Sequence, residues 1–266
     1  MKKRHSVFGM NKELGKNWIL LRGLARESGH WGAFVPLLQS AFPAAQITTL
    51  DLPGTGCFYR EISPCTIKAI TDSVRRDAFD KGVIQKPVTI LALSLGAMVA
   101  WEWMHSYSQD ICGATLINTS FADVSPFYQR LRWQNYRDFT ALVMTRNVFK
   151  RESAILRLTS NSRNQHKQIA LTWETIQNQR PISHKNSFRQ ILAAAAYRPG
   201  DIKPMQPVLL LNGLGDRLVS PACSEAIQKK WNLELRRHPW AGHDLSLDDG
   251  AWVVSQLKDW LDQSRS

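Results

Sequence analysis

Three residue types in this 266-residue chain stand at spacings that could support covalent chemistry: a serine between small residues, a histidine on a glycine loop, and an aspartate after an apolar strand. Ser94 lies in Ala92-Leu93-Ser94-Leu95-Gly96, between an apolar run and a helical one. A sharp strand-to-helix turn forces its central residue into a strained conformation, and small residues two places away on either side avoid clashes. Such a turn holds the hydroxyl clear of a sheet. It also aims N–H groups at the helix start toward a developing negative charge. The plainer alternative is a serine that only caps a helix.

A serine nucleophile needs a base. Of seven histidines, His243 in Ala241-Gly242-His243-Asp244 falls on a loop between the last strand and the last helix. That is the carboxyl edge of the sheet, within reach of Ser94. His238, before Pro239, ends a strand and lies nearer the sheet. The base in turn needs an orienting carboxylate. Asp216, in Asn212-Gly213-Leu214-Gly215-Asp216, follows an apolar strand; Asp123, Asp248 and Asp249 are its rivals. An oxyanion hole completes the set. Leu95 N–H is one donor by its place after Ser94, and Leu24 N–H is the expected second, from the loop Arg22-Gly23-Leu24-Ala25. Losing one such donor costs about 100- to 1,000-fold in rate.

Elements must hold these groups in place. Asn17–Leu21, Ile47–Leu50, Val88–Leu93, Gly113–Ile117, Pro207–Leu211 and Leu233–Arg236 read as strands. Helical stretches lie around Trp31–Leu38, over Ile67–Phe79, through Met98, Trp101 and Met104, and over Trp252–Leu261. The strands are near-continuously apolar and alternate with helices, which predicts a mostly parallel sheet buried on both faces. Residues 121–200 break the rhythm. They show no strong strand, are rich in Gln, Asn and Arg, and carry helical stretches such as Phe139-Leu142-Val143 and Ile191–Ala196. We read them as a helical lid over the carboxyl ends of the strands, dividing a core of residues 1–120 and 201–266.

The net charge is +12, and residues 121–200 carry thirteen Lys and Arg against four acidic residues, a net of +9. Either this is a solvated face, or it steers an acidic partner. Phe127, Tyr128, Trp133 and Tyr136 lie among the charges and read as the apolar underside of the lid, so nucleic-acid binding is not expected. No apolar run approaches the ~20 residues of a membrane span. The basic start Met1–Ser6 leads into no apolar stretch, so no signal peptide is expected. Cys57, Cys65, Cys112 and Cys223 form no C-x-x-C pair or zinc-ligand spacing, and Cys112 reads as a small core residue. A reduced, cytoplasmic setting is expected.

Taken together the residues from Trp18 to Trp260 resemble the α/β-hydrolase superfamily, including Asp51-Leu52-Pro53-Gly54-Thr55-Gly56, which is similar to a turn common there. The nearest comparison within it is the small bacterial carboxylesterases, the pimeloyl-ACP methyl ester esterases among them, which carry a helical lid between the same strands. The resemblance implies the chain order Ser94, Asp216, His243, and so selects Asp216. It also implies an ester or thioester substrate, cleaved through an acyl-enzyme without metal or cofactor. The substrate is a small molecule or carrier-bound, with acidic acyl carrier protein as a candidate partner. A non-catalytic scaffold that binds an acidic partner through the basic lid is the alternative, and a basic membrane- or polyanion-binding protein is the third. One departure stands out. Arg22-Gly23 replaces the usual His-Gly, so Arg22 is expected to meet an anionic group, to pair with Glu27 or to lie on the surface.

Overall fold

The computed structural model describes residues 12–132, 134 and 145–265. The apolar runs form β1 (Asn17–Leu21), β2 (Gln46–Leu50), β3 (Val88–Leu93), β4 (Ile111–Ile117), β5 (Val208–Gly213) and β6 (Glu234–His238). They make one sheet in the order β2-β1-β3-β4-β5-β6, parallel throughout. The helices are α1 (Phe34–Ala41), α2 (Ile67–Asp80), α3 (Leu95–Ser106), α4 (Phe127–Arg130), α5 (Val148–Thr159), α6 (His166–Gln179), α7 (His184–Ala196), α8 (Pro221–Trp231), α9 (Leu245–Asp248) and α10 (Gly250–Arg265).

Both faces of the sheet are covered, which is why the central strands β1, β3, β4 and β5 are mainly apolar and buried, while the edge strands β2 and β6 carry polar, partly exposed residues. In β1, Trp18 and Leu20 join a core with α1 and α10, while Ile19 and Leu21 join one with α2, α3 and α8. Helix starts follow local capping. The Thr66 side chain accepts from Ala69 N at 3.2 Å, Asn147 from Lys150 N at 2.8 Å and Ser183 from Asn186 N at 3.0 Å. Each such cap stabilises by about 1 kcal/mol. The fourth expected strand starts earlier than its glycine suggests. Gly113 lies inside β4, because Leu14 Cδ1 packs 2.4 Å from where a Cβ would stand. The final helix extends beyond Trp252–Leu261 at both ends. The stretch Phe139-Leu142-Val143, together with Trp133 and Tyr136, lies outside the described residues.

Strand β1 sits between β2 and β3, so the chain reverses its direction of winding there. In such sheets the carboxyl ends of the two central strands flank an open crevice. Helices α4 to α7 enter between β4 and β5, and residues from each line a cavity at that edge.

All four cysteines are unpaired thiols, and no described helix is long and apolar enough to cross a membrane. Burial pushes the Cys112 and Cys223 thiols up to about 11 each. Since thiolate is the reactive form, both should stay unmodified when native protein meets iodoacetamide at mildly alkaline pH, and react once urea unfolds the chain. Peptide mass spectrometry reads this directly; fast native labelling of either would contradict the packing.

Candidate active site

Ser94 joins β3 to α3 at φ 58°, ψ −115°, a left-handed conformation that costs a non-glycine residue about 1–3 kcal/mol. Its neighbours hold it there. Ser94 N donates to Ile117 O at 2.8 Å, and Thr119 Oγ1 donates to Ser94 O at 3.0 Å. The small flanks have physical causes. A Cβ on Gly96 would stand 2.6 Å from Arg22 O and 2.7 Å from Leu21 O. One on Gly23 would stand 3.1 Å from Ser94 Cβ.

His243 is buried, and its Nδ1 lies 2.7 Å from Asp216 Oδ2. The fully buried Asp216 also accepts at Oδ1 from Leu218 N at 2.8 Å and Val219 N at 3.0 Å. The rival carboxylates are engaged elsewhere. Asp123 meets Lys230, Asp248 holds Ser160 and Gly242, and Asp249 meets His238 Nε2 at 3.1 Å. No hydrogen bond joins Ser94 Oγ to His243; both open onto one cavity, and such bonds are often long before substrate binds.

Asn118 was not foreseen as part of the site. It ends β4 at φ 48°. Its Nδ2 donates to Gly242 O at 3.0 Å and His243 O at 2.8 Å, while its Oδ1 accepts from Asn212 Nδ2 at 2.9 Å and Gly213 N at 3.0 Å. The histidine loop is thereby tied to the end of β5. The signal available was an amide directly after a buried strand, at the edge where sites form.

Arg22 is buried, and the group it meets is Asp244. Nη1 lies 3.2 Å from Oδ1 and Nη2 2.5 Å from Oδ2, with the guanidinium 4.8 Å from the centre of the Trp31 ring. The expected alternatives, a surface position or Glu27, do not hold, because Glu27 is taken by Arg180. The ion pair joins the end of β1 to the residue after His243. Burial raises the Asp244 carboxyl, but the Arg22 charge and hydrogen bonds from Arg22 and Ser246 outweigh it and hold the group below the usual carboxylate range.

Leu24 and Leu95 both face the cavity, and neither backbone N–H has a hydrogen-bond partner among the described residues. For Leu95 this follows from its place in the first turn of α3. The cavity measures about 780 Å³. The core contributes Ser94, His243 and Met98, and the insertion contributes apolar groups such as Leu131, Ile155, Leu158, Trp173 and Ile191. Among the described residues no group of three His, Cys, Asp or Glu is placed to hold a metal ion.

A family model described as the Alpha/beta hydrolase family matches residues 18–256, and the chain belongs to that family. Solved structures agree in fold. An esterase from Thermogutta terrifontis is 18% identical over 95% of this chain and 92% of its own, with a TM-score of 0.71. An enol-lactonase from Burkholderia xenovorans is 16% identical over 93% and 92%, with a TM-score of 0.74. A hydrolase from Pseudomonas aeruginosa is 16% identical over 92% and 89%, with a TM-score of 0.72. A search of curated protein sequences returns no significant match. The family and these neighbours support hydrolase activity.

Arg22→Met strands the Asp244 carboxylate in the interior and should destabilise the fold by about 3–5 kcal/mol, whereas Arg22→Met with Asp244→Leu should recover most of it. In the parent chain the lowered Asp244 pKa gives a contribution that is full above the usual carboxylate range and fades as pH falls through the depressed value. The gap between parent and Arg22→Met should therefore narrow in acid, where the stranded carboxyl can protonate. Urea unfolding near neutral pH and at about pH 4 checks both; a gap that widens in acid would refute the assignment.

Proposed function

We propose that the protein is a serine hydrolase that cleaves a carboxylic ester or thioester through an acyl-enzyme. The observation that carries this is the 2.7 Å Asp216–His243 bond, which presents the imidazole to the same cavity as a serine on a left-handed turn. His243 takes the Ser94 proton, and Oγ attacks the acyl carbon. Leu24 and Leu95 N–H groups receive the oxyanion. The protonated imidazole then gives its proton to the leaving group, and His243 activates the water that frees the acid.

The apolar lining supports a substrate with a sizeable hydrocarbon or aryl group. Residues 121–200 act in this reading as a lid over a core of 1–120 and 201–266, and a cytoplasmic setting belongs to the same proposal. A carrier-bound acyl group, brought by an acidic acyl carrier protein, is its narrower form. Exposed Arg146, Lys150, Arg163, Lys167, Lys185 and Arg198 supply the positive charge that this form would use.

Hydrolysis of p-nitrophenyl esters over a range of chain lengths tests the reading. Ser94→Ala should abolish turnover, and Asp216→Asn should lower kcat by about 10⁴-fold, because the imidazole loses its orienting acceptor. A fluorophosphonate should label Ser94 in the parent chain. Absence of both turnover and labelling would favour the scaffold alternative, with the basic insertion as its binding surface.

A further inference from the structure

The loop after β1 is held from the far side of the cavity. Ala25 takes a left-handed φ of 56°, and its N–H donates to Gln190 Oε1 at 2.9 Å. Gln190 is fully buried on α7, and its amide also reaches Pro53 O at 3.3 Å. At the next residue, Arg26 Nη1 lies 2.6 Å from Glu152 of α5 and 2.9 Å from His30 Nε2. A guanidinium only donates, so that nitrogen of His30 accepts. The guanidinium lies 4.5 Å from the centre of the Trp173 ring of α6. Glu27 next receives Arg180, just past α6, at 3.0 and 2.9 Å from Nε. Three consecutive residues of one loop, Ala25, Arg26 and Glu27, are thus each fixed by a different segment of the insertion. Leu24, which lines the cavity and whose N–H has no partner among the described residues, immediately precedes them.

We propose that the insertion completes the oxyanion hole, with Gln190 as a positioning residue that holds Ala25 left-handed and so aims Leu24 N–H at the acyl oxygen. The inference rests on the hydrolase reading above. A left-handed alanine does not persist unless its surroundings over-determine it. Here the acceptor is the amide oxygen of a fully buried side chain. Removing it frees Ala25 to relax and swings the preceding peptide away from the reacting carbonyl. A displacement of about 1 Å at such a donor can cost about 100-fold in rate. Substrate binding draws on the apolar walls, so KM should change little. The Arg26–Glu152 and Glu27–Arg180 pairs brace the same loop.

The test uses the full chain with p-nitrophenyl ester kinetics. Gln190→Met keeps the volume and removes the acceptor; kcat should fall about 10- to 100-fold with KM within about twofold. Gln190→Glu keeps an acceptor oxygen and should restore most of the loss. A trifluoromethyl ketone supplies a readout that simple loosening of the fold would not move. Ser94 Oγ adds to its carbonyl carbon, the Ser94 proton passes to His243, and the carbonyl oxygen becomes an oxyanion held by the two N–H groups. Its affinity should weaken in step with kcat/KM across the variants. Arg180→Met, at a partly exposed position, should lower kcat several-fold, and it decides the matter if Gln190→Met does not fold. Parent-like kcat and ketone affinity in the folded variants, with Ser94→Ala inactive, would overturn this inference alone. A parent chain without Ser94-dependent turnover would overturn the hydrolase reading beneath it.

Discussion

The carbonyls of Leu21 and Arg22 pass so close to the start of α3 that no side chain fits at position 96. This approach is the constraint on which the site depends. It exists because β1 and β3 are neighbours in the sheet and the chain leaves both at the same edge. The turn at Ser94 can then be tight, since Gly23 and Gly96 leave the necessary space. Strain at Ser94 is held by bonds to Ile117 and Thr119 at the end of the next strand. The loop after the adjacent strand carries Leu24, whose N–H has no partner among the described residues. A wider separation of β1 and β3 would remove the reason for the glycines.

Polar groups below the surface are paired across long stretches of sequence. Arg22 reaches Asp244, Arg26 reaches Glu152, and Asn118 gathers the His243 loop onto β5. A buried pair of this kind adds little net stability over an apolar substitute, but removing one partner is costly. Several arginines of the insertion are used in the same way. Arg130 donates to Ala194 and Ala195 carbonyls, Arg132 to Asp216 O, and Arg189 to Ser63 O. The positive charge of residues 121–200 therefore has two uses, one as internal fastening and one as exposed surface.

The groups that were legible in the sequence are those whose surroundings are local. Ser94 announces itself because an apolar strand, small flanks and a helix lie within a few residues. The central strands are legible because burial on both faces leaves them mainly apolar. Asp216 was one of several candidates until chain order selected it, and the structure brings it rather than Asp123, Asp248 or Asp249 to His243. Gln190 and Glu152 were not legible as site residues, since their partners lie 165 and 126 positions away. A single sequence carries no mark of such a pairing. The composition rich in Gln, Asn and Arg was visible, but its meaning was not; Asn186 and Gln190, one turn apart on α7, spend their amides on the loops after β1 and β2. The position of Arg22 raised the question of an anionic partner, and only the fold supplied Asp244.

Helices α5 and α7 each carry residues that line the cavity and residues that hold the loop after β1, and Glu152 does both. Ile155 and Leu158 on α5 and Ile191 on α7 line the cavity, and their side chains take no part in the bridges to the loop after β1. Glu152 and Gln190, on the same helices, are bound to that loop. Exchange of the whole segment between relatives would bring a new cavity wall and leave Ala25 N–H and a buried arginine facing foreign neighbours. Changes at Ile155, Leu158 or Ile191 would leave these bridges in place. The cavity could thus be reshaped at those three positions alone, whereas a change at Glu152 or Gln190 would have to be matched in the loop it holds.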